Sequence, residues 1–300
     1  MNGSRGELEP LLLEAVLSEA MEQIRAMTAI VGRTVLILLL LAVVPARAAR
    51  DGPNINIEIV NYFLVPDAYF ILGMDYDPSG DRIFFCDNIT NKVFVCRAAD
   101  GHILETIDVT FREDPSIFGV CYDPTTGYMY VNDWGLEEFY RFDGAAWTPL
   151  DDPAGKESRG FDLGPGAEYF YETDYDRGFY KFAPGGETHY FEVSGFQSRT
   201  SGMTYFPYFG AEGVAIDTYE QTYINFFEIV GTDAVLIGTA EIPVYPIYYS
   251  LGLTYAQGRG TFFWSCWDEN NVFWIYEFDI DFEFESVKPT SLGRLKASYR

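Results

Sequence analysis

Positive charge is what this sequence has least of: 20 Lys and Arg stand against 45 Asp and Glu in 300 residues, a formal charge of −25. That balance excludes recognition built on phosphate neutralisation, because nucleic acid and anionic lipid are repelled. Histidine is nearly missing, with only His102 and His189, which excludes a multi-histidine metal centre. No Gly-x-Ser-x-Gly, His-Glu-x-x-His, P-loop or dinucleotide fingerprint occurs in its required context. Asp174 and Asp176 before Gly178 lack the full EF-hand spacing. Cysteine is sparse, and Cys86, Cys96, Cys121 and Cys266 admit three complete pairings. Cys86 and Cys96 flank one hairpin whose turn does not set them opposite each other. A Cys86–Cys121 link stays open, and buried thiols are the favoured reading.

Long apolar runs are missing too, with one exception. Val35 to Val44 is ten residues long, and about 20 are needed to span a bilayer. Arg33 before the run and Ala46-Arg47-Ala48 after it read as a secretory signal peptide, with the mature chain starting near Ala49. A short uncleaved anchor is the alternative. Residues 1–26 are an unusually acidic leader, so Met27 is a candidate true start. Residues 1–48 are therefore set apart as leader and signal, and no integral span is expected after cleavage.

What is present in excess is aromatic. All 52 Phe, Trp and Tyr lie after residue 50, a composition suited to half-buried pleated surfaces. Amphipathic helical stretches are absent there. Instead the chain repeats Gly, apolar, any residue, Tyr, then often Asp-Pro: Gly73 to Pro78 and Gly119 to Pro124, with weaker copies at Gly160, Gly202 and Gly252. An Asp follows each glycine, at Asp87, Asp133, Asp174, Asp217 and Asp268, 14, 14, 14, 15 and 16 residues on. In the first unit four strands are expected near 72–76, 82–86, 92–97 and 103–109, separated by Gly, Pro, Asn and Asp turns. Four-stranded units of this length, repeated, predict an all-β fold, a β-propeller of five recognisable blades over residues 49–287. Six blades remain open, because alternating strands at Ile55–Ile59 and Ile280–Glu285 flank the repeats, and one of them is expected to close the ring against the opposite terminus.

The Gly73–Asp87 and Gly119–Asp133 units resemble the blades of the NHL, SMP-30 and YVTN group of secreted propellers. The resemblance covers residues 71–285 and is architectural. It implies the fold, whereas the group's members range from lactonases and other enzymes to plain binding proteins.

Strand connectivity puts the loop entering each first strand and the loop joining the second and third strands on one face, the top. The five repeated Asp residues sit at that edge and are expected to cap their own turns. Two residues past the anchor glycines stand Asp75 and Asp162, on innermost strands where carboxylates need a partner. They are the candidate channel acids, either bonded to neighbouring blades, or binding Ca²⁺, the one cofactor the pattern admits, or acting as an acid/base pair. Residues 51–287 hold only 11 Lys and Arg, four of which, Lys156, Arg159, Arg177 and Arg199, fall in top loops beside Trp134, Tyr175 and Trp267. Cations among aromatic plates suit a sugar, a peptide or an acidic ligand.

Two functions follow. The first is a secreted, non-catalytic propeller binding an extracellular ligand, peptide or glycan on its top face. The second is a secreted metal-dependent hydrolase or lactonase using Asp75 and Asp162. Residues 288–300 reverse the charge, with Lys288, Arg294, Lys296 and Arg300 and no acid, and read as a basic tail for sorting or surface tethering.

Overall fold

The computed structural model describes residues 54–282 except 66–67, 154, 156, 176–177, 194–198 and 245. The leader, the signal run and the basic tail lie outside the described residues. All described residues belong to the compact unit Arg50–Arg300.

The first strand of the chain, β1 (Asn54–Leu64), is the last of the ring. Blade one follows as β2 (Ile71–Asp77), β3 (Arg82–Asp87), β4 (Lys92–Arg97) and β5 (Ile103–Asp108). Blade two is β6 (Ile117–Asp123), β7 (Tyr128–Asp133), β8 (Glu138–Phe142) and β9 (Trp147–Asp151). Blade three is β10 (Phe161–Leu163), β11 (Phe170–Thr173), β12 (Gly178–Phe182) and β13 (Thr188–Glu192). Blade four is β14 (Thr200–Tyr208), β15 (Ala211–Thr218), β16 (Tyr223–Val230) and β17 (Asp233–Glu241). Blade five is β18 (Ile247–Ala256), β19 (Thr261–Asp268) and β20 (Phe273–Asp281), completed by β1.

The expected propeller is therefore present, with five four-stranded antiparallel units among the described residues. The two flanking strands explain the sixth candidate: they pair with each other. β1 runs antiparallel to β20 with Ile57 opposite Ile280 and Phe63 opposite Ile275, so the N-terminal strand closes the last blade. Asn54 and Ile55 also pair parallel with Thr239 and Ala240, tying blade four to blade five.

The anchor glycines explain how the ring closes. A methyl group at Gly73 would meet Gly119 Cα at 2.7 Å, one at Gly119 the Arg159 carbonyl at 2.5 Å, and one at Gly160 the Met203 nitrogen at 2.5 Å. At Gly202 it would meet the Leu253 nitrogen at 2.5 Å, and at Gly252 the Leu72 carbonyl at 2.5 Å. Each glycine thus lets one innermost strand touch the next, which a side chain would prevent. Burial falls outward from this waist: β2 is buried throughout, whereas most of β5 faces solvent. Between blades the aromatic excess becomes core, as where Phe139 packs 5.3 Å from Phe161 and 5.8 Å from Phe182. Such pairs add about 0.5–1.5 kcal/mol beyond their area.

The cysteines are all free and buried. Cys86 pairs with Val93 and Cys96 with Ile83, which is why that hairpin does not oppose its two thiols. Cys86 Sγ instead donates to the Gly119 carbonyl at 3.6 Å.

Candidate functional site

The channel has two ends, and different chemistry occupies each. At the bottom, where the innermost strands finish, Asp75 and Asp162 line a cavity of about 340 Å³ together with Tyr122, Tyr205 and Tyr255. Both carboxylates are more than nine-tenths buried, and each oxygen accepts a hydrogen bond. Asp75 takes the N–H of Tyr76 at 2.7 Å and, from the next blade, that of Tyr122 at 2.6 Å. The Thr254 hydroxyl of blade five donates to it at 3.4 Å. Asp162 takes the N–H of Leu163 at 2.7 Å and, from the next blade, the N–H of Tyr205 and the hydroxyl of Thr204, both at 2.7 Å. Thr204 Oγ1 in turn accepts from the Tyr255 N–H at 2.9 Å. The five amides three residues past the anchor glycines are thus all satisfied, four by two carboxylates and one by a hydroxyl. Burial and the nearby Asp162 carboxyl push Asp75 well above the usual carboxylate range, and burial pushes Asp162 up to about 6. Among the described residues no cluster of three or more His, Cys, Asp and Glu side chains is arranged to hold a metal.

At the top, four of the five repeated acids cap their own turns. Asp87 accepts from Ile89 and Thr90, Asp133 from Gly135, Asp174 from Gly178, and Asp268 from Asn270 and Val272. Asp217 departs from the expectation, and the reason is register. Ile71 pairs with Asp87 and Ile117 with Asp133, but in blade four Thr200 pairs with Thr218. Asp217 therefore stands one residue early, and one residue turns a strand side chain to the other face. Its carboxylate points inward, where Oδ1 accepts from the Gly202 N–H and Oδ2 from the Ser250 hydroxyl at 2.5 Å, with Trp264 Nε1 donating to Ser250 at 2.6 Å. Asn132 and Thr173 perform the same service for Gly119 and Gly160. A charged group thus does what a neutral one does elsewhere, and burial pushes Asp217 up to about 7.

Beside it stands Arg159, just ahead of β10, with 1% of its surface exposed. Its guanidinium carbon lies 4.2 Å from the ring centres of both Tyr175 and Tyr219 and 4.9 Å from those of Phe118 and Trp134. Four rings around one cation form an aromatic box. Nε and Nη1 have no hydrogen-bond partner. Burial, with the like charge of Arg199, lowers the pKa of this arginine against a weaker opposing effect of Tyr219, Tyr175 and Asp217.

The box continues as a belt. Trp134 lies 6.1 Å from Tyr175, and Arg199 sits 4.7 Å over the other ring, Tyr175. On the far side Tyr219 stacks on Tyr249 at 4.4 Å, Tyr249 lies 5.6 Å from Trp267, and Trp267 lies 5.6 Å from Phe70. Trp134, Tyr175, Tyr219, Tyr249, Trp267 and Phe70 are all half-buried. Behind the box a second buried polar group lies under the surface. Glu172 accepts from Asn132 Nδ2 at 2.7 Å, and burial plus the neighbouring Asp152 carboxyl hold it well above the usual range.

Of the residues singled out from sequence, Trp134, Arg159, Tyr175 and Arg199 meet at one place, and Trp267 joins them through Tyr249. Lys156 and Arg177 lie outside the described residues. Phe118, Tyr219 and Tyr249 were not legible as site residues. Tyr219 directly follows the turn-cap position of its blade, which is the signal that would have found it once Asp217 was recognised as out of phase.

No family model matches the chain, and no curated protein matches it in sequence. Its likeness is to solved structures, at the level of fold. A glutaminyl cyclase from Myxococcus xanthus is 10% identical with a TM-score of 0.58, over 77% of this chain and 99% of that one. Regucalcin from Agrobacterium tumefaciens, described as a calcium-binding protein, is 8% identical with a TM-score of 0.52, over 75% and 95%. Virginiamycin B lyase from Staphylococcus aureus is 12% identical with a TM-score of 0.46, over 70% and 67%. Propellers of this kind thus include enzymes as well as binding proteins. No helix among the described residues is long and apolar enough to cross a membrane.

Proposed function

We propose that this chain is an exported, non-catalytic propeller that binds an extracellular ligand on its top face, at the aromatic belt around Arg159. The observation that carries the reading is the belt itself. Six half-buried rings run from Trp134 to Phe70, three of them against the buried cation of Arg159, in a chain otherwise poor in cations. Flat, partly exposed rings with few polar anchors suit a ligand that contributes its own apolar face. The acids a hydrolase would use, Asp75 and Asp162, already accept backbone hydrogen bonds with every oxygen.

Thermal melts of the full chain with cellotriose, chitotriose, tri-alanine and benzoate test this. A bound ligand at 100-fold saturation adds about 2.7 kcal/mol of stability. A rise that disappears in both Trp267→Ala and Tyr219→Leu is the expected result. No rise with any probe, or a rise both variants keep, overturns the top-face reading. Export rests on the Val35–Val44 run and surface tethering on residues 288–300, so unchanged surface retention after removal of 288–300 overturns the tethering.

A further inference from the structure

Arg159 poses a question of charge. A guanidinium carries five N–H donors and no acceptor, and it stays ionised in proteins. Here three of those N–H bonds, one on Nε and two on Nη1, are buried without an acceptor. Among the described residues no carboxylate forms an ion pair with it. Asp217, the acid that acts on it electrostatically, has both oxygens taken by Gly202 and Ser250. The four ring faces stabilise the cation through its charge, but an N–H aimed at a ring makes only a weak hydrogen bond and does not replace an oxygen acceptor. A buried donor left in this state is costly unless something brings an acceptor to it.

We propose that the ligand is a small carboxylate, whose anionic group is received by the Nε–H and Nη1–H groups of Arg159 while its body lies against the surrounding rings. The proposal rests on the top-face reading and names its ligand class. Size follows from burial: with 1% of Arg159 exposed, only a slim terminal group passes between the rings, and a folded partner's surface does not. Tyr175 and Tyr219 follow β11 and β15 on turns rather than within strands, so rotation of either side chain uncovers an edge of the guanidinium. The carboxylate then supplies the missing acceptors through charge-assisted hydrogen bonds in a site walled by aromatic carbon, where such bonds are strongest.

The test is a titration of the full chain with benzoate and with its neutral isostere benzamide, read by tryptophan fluorescence from Trp134 and Trp267. Benzoate is expected to bind at least about tenfold more tightly, the discrimination a charge-assisted hydrogen bond supplies. Arg159→Gln brings the two ligands to parity, Arg159→Lys keeps the preference at lower affinity, and Tyr219→Leu weakens both ligands alike. The wild-type comparison decides the question even if Arg159→Gln does not fold. Equal binding of the two ligands, both weakened by Tyr219→Leu, overturns the carboxylate and leaves the top-face reading standing. Binding that neither Arg159→Gln nor Tyr219→Leu alters overturns both. No response to benzoate overturns the carboxylate, and the oligosaccharide and peptide melts then decide the reading.

Discussion

The two ends of one channel hold buried charge in opposite ways. At the bottom, two carboxylates are surrounded by donors, and five backbone amides find acceptors in Asp75, Asp162 and Thr204. At the top, a guanidinium is surrounded by aromatic carbon, and two of its nitrogens find no acceptor. Burial and a shifted pKa are common to both ends, so neither marks a binding site by itself. Satisfaction separates them. The bottom acids stitch blade to blade, because each reaches the next blade's backbone, whereas the top cation stabilises nothing through its free N–H bonds.

The largest effect that can break this contrast comes from deleting one group at each end. Asp162→Ala strands the Leu163 and Tyr205 amides, at about 1–3 kcal/mol for each unpaired group, and leaves the Thr204 hydroxyl only the Tyr205 carbonyl. Arg159→Met removes an unpartnered cation and keeps most of its volume, so stability is expected to stay within about 1 kcal/mol of wild type. Denaturant melts measure both. If Arg159→Met falls as far as Asp162→Ala, the arginine is a keystone of the ring and the contrast collapses.

A smaller, pH-dependent effect belongs to Asp217. Its folded pKa of about 7 lies above the ordinary value of 3.8, so between those values the folded chain holds a proton that the unfolded chain has released. Stability from this group is therefore full below about pH 4, falls as pH rises through 7, and levels off above. Asp217→Asn gives blade four the amide that Asn132 provides in blade two. The variant is expected to match or exceed wild-type stability at pH 8 and to flatten the fall in melting temperature between pH 5 and 8. A slope identical to wild type would assign the titration elsewhere. Asp268→Ala, which frees only the turn amides of Asn270 and Val272 and the Trp274 indole, is expected to cost about 1 kcal/mol with no pH signature above pH 6.

Asp217 also marks where sequence reasoning ends. Strands expected at 72–76, 82–86, 92–97 and 103–109 appear as Ile71–Asp77, Arg82–Asp87, Lys92–Arg97 and Ile103–Asp108, because alternation and turn residues are local signals. Ring closure was legible as two alternating strands at opposite termini, and the structure pairs them with each other, whereas their register was not legible, since pairing across the whole chain leaves no local trace. Asp217 looked like its four counterparts because the count from the anchor glycine differed by one residue. Blade five shows the proper count for a long inner hairpin, with Asp268 16 residues after Gly252, and the equivalent of that position in blade four is Thr218. Of the aromatic box, Trp134, Tyr175 and Arg159 were legible as top-loop residues, but Phe118 and Tyr219 were not, because the assembly depends on three blades meeting at one point. For Asp75 and Asp162 the type and position were legible, while the donors that surround them are backbone amides that no sequence displays.

The smallest expected effect is none, and it concerns calcium at the bottom. Ca²⁺ takes 6–8 oxygen ligands, and two carboxylates supply at most four. Each of those four oxygens already faces an N–H group, whose positive end would meet an incoming cation along part of the coordination sphere. The like charges of Asp75 and Asp162 favour a cation, although burial is what chiefly raises the pKa of Asp75 and alone raises that of Asp162. Protonation answers it at lower cost, since a proton needs one lone pair and no ligand shell. Melts of the full chain in EDTA and in millimolar CaCl₂ are therefore expected to coincide. A rise with calcium that vanishes in both Asp75→Asn and Asp162→Asn would turn the bottom into a metal site and reverse the assignment of the two ends.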